Sequence, residues 1–180
     1  SPDRYLLEHV RPEFGPALPV VEVAAALGTA PGSVGPGAPQ VVSTGLPFAI
    51  VPIRTLAVLS KLRPPGVERF CAARGLIGLL LFCAECVDAG NDLHARMFAG
   101  DIGLYEDPAT GSAARCLAAY LLRRGAYGEG PLRARLEQGY EMGRPSLLWL
   151  EAEGDPEAPR IRVAGQVHAI AEGRLCEAVL

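Results

Sequence analysis

The chain has almost no net charge: 17 Lys and Arg stand against 20 Asp and Glu, leaving −3. That offers no electrostatic footprint for nucleic acid or an anionic membrane, both of which recruit clustered basic side chains. No apolar run approaches the roughly 20 residues needed to span a bilayer, and nothing at the N-terminus has a signal-peptide pattern. These absences predict a soluble, cytoplasmic protein with no nucleic-acid or membrane partner. The five cysteines are odd in number, which argues against a secreted disulfide framework. Cys83-Ala84-Glu85-Cys86 has the spacing of zinc and redox sites, but no second pair and no suitably spaced His completes a tetrahedral set. It also follows the strand-like run Leu79-Leu80-Leu81-Phe82 instead of opening a helix, so neither a metal nor a redox role is assigned to it. There is no tandem short-period repeat, and no Gly-Lys-Ser/Thr ending of a nucleotide-binding loop.

What the chain has is enough apolar content, 49% over 180 residues, to bury one good core. The stretch that organises the rest runs from Glu106 to Leu122, where an acidic turn leads directly into an apolar helix. Positions 113 to 122 carry a single charge, Arg115, so the helix has no broad polar face and is predicted to be surrounded by protein. Arg123 and Arg124 suit the negative end of its dipole and Gly125 stops it, which predicts a helix over residues 112–124. At its start, Asp107-Pro108 fixes an extended turn, and Thr110, Gly111 and Ser112 lie beside the unpaired amides of the first turn. Those amides and the dipole can cradle a carboxylate or phosphate, and Glu106-Asp107 nearby suggests proton chemistry on an anion. The plainer alternative is that Thr110 or Ser112 caps the helix and that the two acids are solvated at a turn.

Glu106-Asp107-Pro108-Ala109-Thr110-Gly111-Ser112-Ala113 resembles the signature of the PhzF-type phenazine-biosynthesis proteins, relatives of diaminopimelate epimerase. The likeness extends to Ser43-Thr44-Gly45-Leu46-Pro47-Phe48 with Ile50-Val51-Pro52, and to His94-Ala95-Arg96-Met97-Phe98. It continues through Gln138-Gly139-Tyr140-Glu141-Met142-Gly143-Arg144-Pro145-Ser146 and Val163-Ala164-Gly165-Gln166-Val167, covering most of residues 10 to 175 in the family's order. The resemblance implies a cofactor-independent isomerase or epimerase without metal, acting on a small anionic metabolite. Asp107 would orient the substrate or pass a proton, Thr110, Gly111 and Ser112 would hold a carboxylate, and the Ser43, Thr44 and Gly45 loop would close the other side. Members have two similar lobes facing across a cleft, with a general-base Glu and a Gly-His-Ala-Thr-like segment in the first. Neither motif is present here. Residues 1–19 are accordingly expected to be a linker and residues 20–180 the second lobe, partnered by a first-lobe chain or by a second copy. The alternative is a non-catalytic module that binds a small anion or a protein.

Along the chain, four prolines in residues 1–19 predict an extended opening, residues 20–27 a short helix stopped by Gly28, and residues 31–39 a loop. Residues 40–53 read as two strand pieces around the Ser43-to-Pro47 bend, and residues 55–62 and 66–74 as surface helices separated by Pro64-Pro65-Gly66. Strands are expected at 76–83, 93–98, 132–140, 146–152, 160–164 and 166–172. The fold class is therefore α+β, a curved mixed sheet or open barrel wrapped around one buried helix. No catalytic role is given to His9, His94 or His168, and Arg144 is expected to be exposed in its turn.

Overall fold

The computed structural model describes residues 4–8, 11–100, 105–126, 128, 130–166, 170 and 172–173. In chain order these form β1 (Arg4–Glu8), β2 (Glu13–Ala17), α1 (Val20–Leu27), β3 (Gln40–Ser43), β4 (Pro47–Pro52), α2 (Leu56–Leu59) and α3 (Val67–Ala72). There follow β5 (Gly78–Cys83), β6 (Leu93–Ala99), β7 (Glu106–Asp107), α4 (Gly111–Arg123), β8 (Leu132–Gln138), β9 (Ser146–Glu153) and β10 (Arg160–Gln166). All the strands share one sheet in the order β1-β10-β9-β8-β6-β5-β4-β3-β2, with β7 paired to β6. The β4–β5 and β6–β8 pairs are parallel and the other pairs antiparallel, so the sheet is mixed.

The apolar helix is α4, and the sheet curls round it. Ala113, Ala114, Cys116 through Leu121 are all buried, and the helix packs on β3, β4, β5, β8, β9 and β10. Each fully buried Leu there contributes about 1.5–3 kcal/mol. Four small alanines let the surrounding backbone come close. The expected α+β sheet around a buried helix is therefore present.

The sheet's other face holds a second core that the sequence reading did not anticipate. In β4 and β5 the side chains alternate: Phe48, Ile50, Leu80 and Phe82 face α4, whereas Ala49, Val51, Leu79 and Leu81 face outward. Both faces are dry because α1, α2 and α3 cover the outer one with Leu27, Leu59, Val67 and Phe70. This explains the unbroken apolar run of β5, since a strand buried on both faces has no polar positions to alternate with. The two short helices expected on the surface are thus a covering layer with a buried stripe.

Two further differences concern the ends. Residues 4–8 and 13–17, expected as linker, are extended but hydrogen-bonded: β1 pairs with β10 and β2 with β3. Pro16 is tolerated because β2 is an edge strand, and the β2–β3 register shifts between Phe14 and Ala17. The break expected at Gly165 is absent, and β10 continues to Gln166. The rest of the strand expected at 166–172, with His9, His168 and Cys176, falls outside the described residues apart from isolated positions. No described helix is long and apolar enough to cross a membrane, and the described residues contain no cluster of metal-ligating side chains.

Candidate functional site

Strand alternation separates the two acids of the signature. In β7, Asp107 pairs with Met97, whose side chain faces α4, and Glu106 pairs with Phe98, which faces outward. Asp107 therefore lies at the N-terminal end of α4, and Glu106 belongs to a different network. The two carboxylates expected together are on opposite faces of the sheet.

The Asp107 carboxylate accepts a hydrogen bond from the Thr110 hydroxyl at 2.6 Å. Gln138, fully buried at the end of β8, fixes this arrangement. Its Nε2 donates to the Asp107 carbonyl at 2.7 Å and to Thr110 Oγ1 at 3.1 Å, while its Oε1 accepts the Thr110 amide at 3.3 Å. Gln138 was not singled out from sequence, although a signal existed. Leu132, Ala134 and Leu136 face the inner core, so the period of two puts Gln138 inward as well, where an amide must be hydrogen-bonded. Gly139 then turns the chain at φ 82°, and a Cβ there would fall 2.8 Å from the Pro108 carbonyl. Only glycine lets the Gln138 segment lie this close to the Asp107-Pro108 turn.

Because Thr110 gives its hydroxyl to Asp107, it does not cap the helix. Among the described residues no side chain does, and the start of α4 keeps unpaired amides there. Gly111, Ser112 and Arg115 line a small cleft of about 200 Å³ closed by Leu148, Val163, Ala164 and Gly165. The Ser43-to-Gly45 bend packs against the same half of the helix. Thr44 is buried with its hydroxyl 3.6 Å from Cys116 Sγ, and Ser43 Oγ accepts the Gly45 amide at 3.2 Å. Gly45 adopts φ 106°, which closes this bend. The structure thus brings Asp107, Thr110, Gly111 and Ser112 together with the 43–45 loop nearby. Of that loop, the Thr44 hydroxyl is turned inward.

Glu106 instead forms a two-pronged ion pair with Arg96, at 2.8 Å from both Nε and Nη2. Arg96 is 1% exposed, and its Nη1 also donates to the Leu59, Ser60 and Leu62 carbonyls. His94, two residues earlier on the same outward face, is neither in the cleft nor in solvent. Its Nδ1 lies 2.6 Å from Glu137 and its Nε2 3.0 Å from Glu141. Burial acts to lower the His94 pKa, but the hydrogen bonds it gives to the Glu141 and Glu137 carboxylates outweigh it and raise the value above 6.5. Burial likewise acts to raise both carboxylates. For Glu137 it is overcome by Asn91, His94 and the Val87 and Asp88 amides, and for Glu141 chiefly by His94, so both titrate below 4.5.

The stability contributed by this cluster follows from those directions. The carboxylate part is full above about pH 4.5 and lost as pH falls through the lower folded values; the imidazolium part is full below 6.5 and lost as pH rises through the higher folded value. Urea midpoints measured from pH 4 to 9 should decline on the alkaline side in the wild type and stay flatter in His94→Gln. Parallel profiles would mean that His94 carries no proton in the folded state.

The model of the PhzC-PhzF family, described as phenazine biosynthesis-like protein, matches residues 5–173. The chain belongs to this family. An uncharacterised isomerase of Mesorhizobium japonicum is 32% identical over 85% of the chain and 53% of its own length. A trans-2,3-dihydro-3-hydroxyanthranilate isomerase of Pseudomonas aeruginosa is 36% identical over 75% of the chain and 46% of the enzyme. The chain thus spans about half the length of these curated relatives. Among solved structures, a Bacillus anthracis phenazine biosynthesis protein of the PhzF family superposes with a TM-score of 0.80 at 24% identity, over 91% of this chain and 57% of the other. A predicted epimerase from Pseudomonas aeruginosa gives 0.72 at 29% identity, over 97% and 59%. The curled sheet about a helix is the fold of this family, whose named relatives are isomerases.

Proposed function

We propose that the chain is the second lobe of a cofactor-independent isomerase or epimerase that moves a proton on a small carboxylate-bearing metabolite. The observation that carries this reading is the Asp107 carboxylate, hydrogen-bonded by Thr110 while Gln138 fixes the Asp107 backbone carbonyl, beside an uncapped helix start. A substrate carboxylate sits on the free amides of Gly111 and Ser112, with the Ser112 hydroxyl as a further donor, each charge-assisted bond contributing roughly 1.5–3 kcal/mol. Asp107 then accepts or returns a proton, or fixes the reacting group by hydrogen bonding. The isomerase of Pseudomonas aeruginosa, named for an anthranilate and so for a carboxylate, supports this substrate class. The principal base comes from the other lobe, supplied by a first-lobe segment or chain, or the cleft is completed by a second copy.

The rival reading is a non-catalytic module that binds a small anion or a protein, since an uncapped helix start can hold an anion without any proton transfer. The gene's full product decides between the two by solvent-deuterium incorporation into substrate.

Ser112→Ala tests the cradle directly. Since no side-chain cap is lost, the variant should keep its melting temperature within a degree or two but bind a carboxylate ligand roughly tenfold more weakly. A fall in stability of about 0.5–2 kcal/mol with unchanged binding would restore the capping role and remove the cradle.

A further inference from the structure

A cleft larger than the one at Ser112 lies at the opposite end of α4 from Asp107. It has a volume of about 720 Å³, within the ordinary range for small-molecule sites. Its walls are Ile53, Phe82, Leu93, Tyr120 and Leu121, with Phe82 and Tyr120 packed edge to face at a centroid distance of 5.9 Å. Two guanidinium groups, Arg54 and Arg124, line it from separate elements, the end of β4 and the end of α4.

Both are anchored on one side and open on the other. Arg54 Nε donates to the Gly32 carbonyl at 3.0 Å. Arg124 Nη2 reaches the Ala38 carbonyl at 3.2 Å and Gln40 Oε1 at 3.5 Å, and its guanidinium lies over the Tyr120 ring at 4.6 Å. The Tyr120 hydroxyl is held by the Ala38 carbonyl at 3.0 Å, which fixes the ring as a wall. Among the described residues, neither arginine forms an ion pair with a carboxylate. The acid that lines the cleft, Asp92, accepts the Arg135 amide at 2.7 Å. At the end of α4 the Tyr120, Leu121 and Leu122 carbonyls accept the Arg124, Ala126 and Gly125 amides, and the Arg124 charge offsets the negative end of the helix. An apolar pocket with an aromatic wall and a net positive rim is complementary to one kind of small molecule.

We infer that this cleft binds a small monocarboxylic acid with an aromatic or bulky apolar body, the body against Phe82 and Tyr120 and the carboxylate between Arg54 and Arg124. The site is independent of the proton chemistry proposed at Asp107, and nothing about it requires a second lobe. Arginine suits the task because its planar fork can give a carboxylate two parallel hydrogen bonds while its other edge stays on the backbone.

The test is an amide-resolved NMR titration of the whole chain with sodium 2-naphthoate, with the uncharged 2-naphthylmethanol as control. Saturable shifts are expected at residues 53–54, 82–84 and 120–126, with the acid binding at least roughly tenfold more tightly than the alcohol. Arg54→Gln with Arg124→Gln should reduce the acid to the level of the alcohol. Both side chains are exposed, and Arg54→Gln alone, expected to weaken the acid several-fold, serves if the pair misfolds. Shifts confined to residues 107–115, equal binding of acid and alcohol, or binding of the acid unaffected by the arginine substitutions would each overturn the inference.

Discussion

Asp107→Asn is expected to cut turnover by roughly 10²- to 10⁴-fold in the gene's full product while leaving the fold and ligand affinity nearly unchanged. The hydrogen-bond pattern sets this expectation. Gln138 Nε2 donates to Thr110 Oγ1, so the Thr110 proton must point at residue 107. An asparagine can therefore keep the contact only by offering Thr110 its oxygen, which puts its NH₂ where the other carboxylate oxygen stood. The variant preserves shape and packing and changes that atom from a proton acceptor to a donor. Solvent-deuterium incorporation into substrate, compared with wild type, measures the effect. Undiminished exchange would remove Asp107 from the chemistry and favour the binding-module reading.

Arg96→Met should cost the domain roughly 3–5 kcal/mol, a large share of the 5–15 kcal/mol typical of a domain. It leaves the Glu106 carboxylate without its partner and takes one donor from each of the Leu59, Ser60 and Leu62 carbonyls, which keep only the Leu62 amide or the Arg63 guanidinium. The loss also loosens β7, a two-residue strand whose outward side chain is tied down by this ion pair and whose inward one is Asp107. Urea denaturation should place Arg96→Met far below wild type and recover much of the loss in the double variant with Glu106→Met, because a buried pair removed together leaves no orphaned charge. If the single variant lost less than about 1 kcal/mol, the ion pair would not be what holds β7 in place.

The contrast between these two acids marks how far the sequence could be read. The helix and its wrapping sheet were legible because residues 113–122 leave no face for water, and most strand positions followed from alternation and turn residues. The partition of Glu106 from Asp107 was not, since a two-residue strand is too short to register a period. His94 and Arg96 sit in an otherwise apolar run, and only the helices layered outside β6 reveal that they face a polar network. Proline content concealed β1 and β2, because edge strands tolerate what central strands do not. Gln138 was hidden by type: a lone amide at a strand end acquires meaning only when Asp107 and Thr110 are brought to it by a segment nearly thirty residues away.

Strand order also fixes the girth of the molecule. β1 and β2 are the outermost strands of a nine-strand path, yet Glu8 and Glu13 are five peptide steps apart, a reach of at most about 18 Å. Laid flat, eight inter-strand spacings would separate those edges by about 38 Å. A tether this short cannot bridge a flat ribbon, so covalent connectivity alone obliges the sheet to roll towards a cylinder. Lengthening that tether would relax the hoop, and the alanines of α4 would then be undersized for the wider bore.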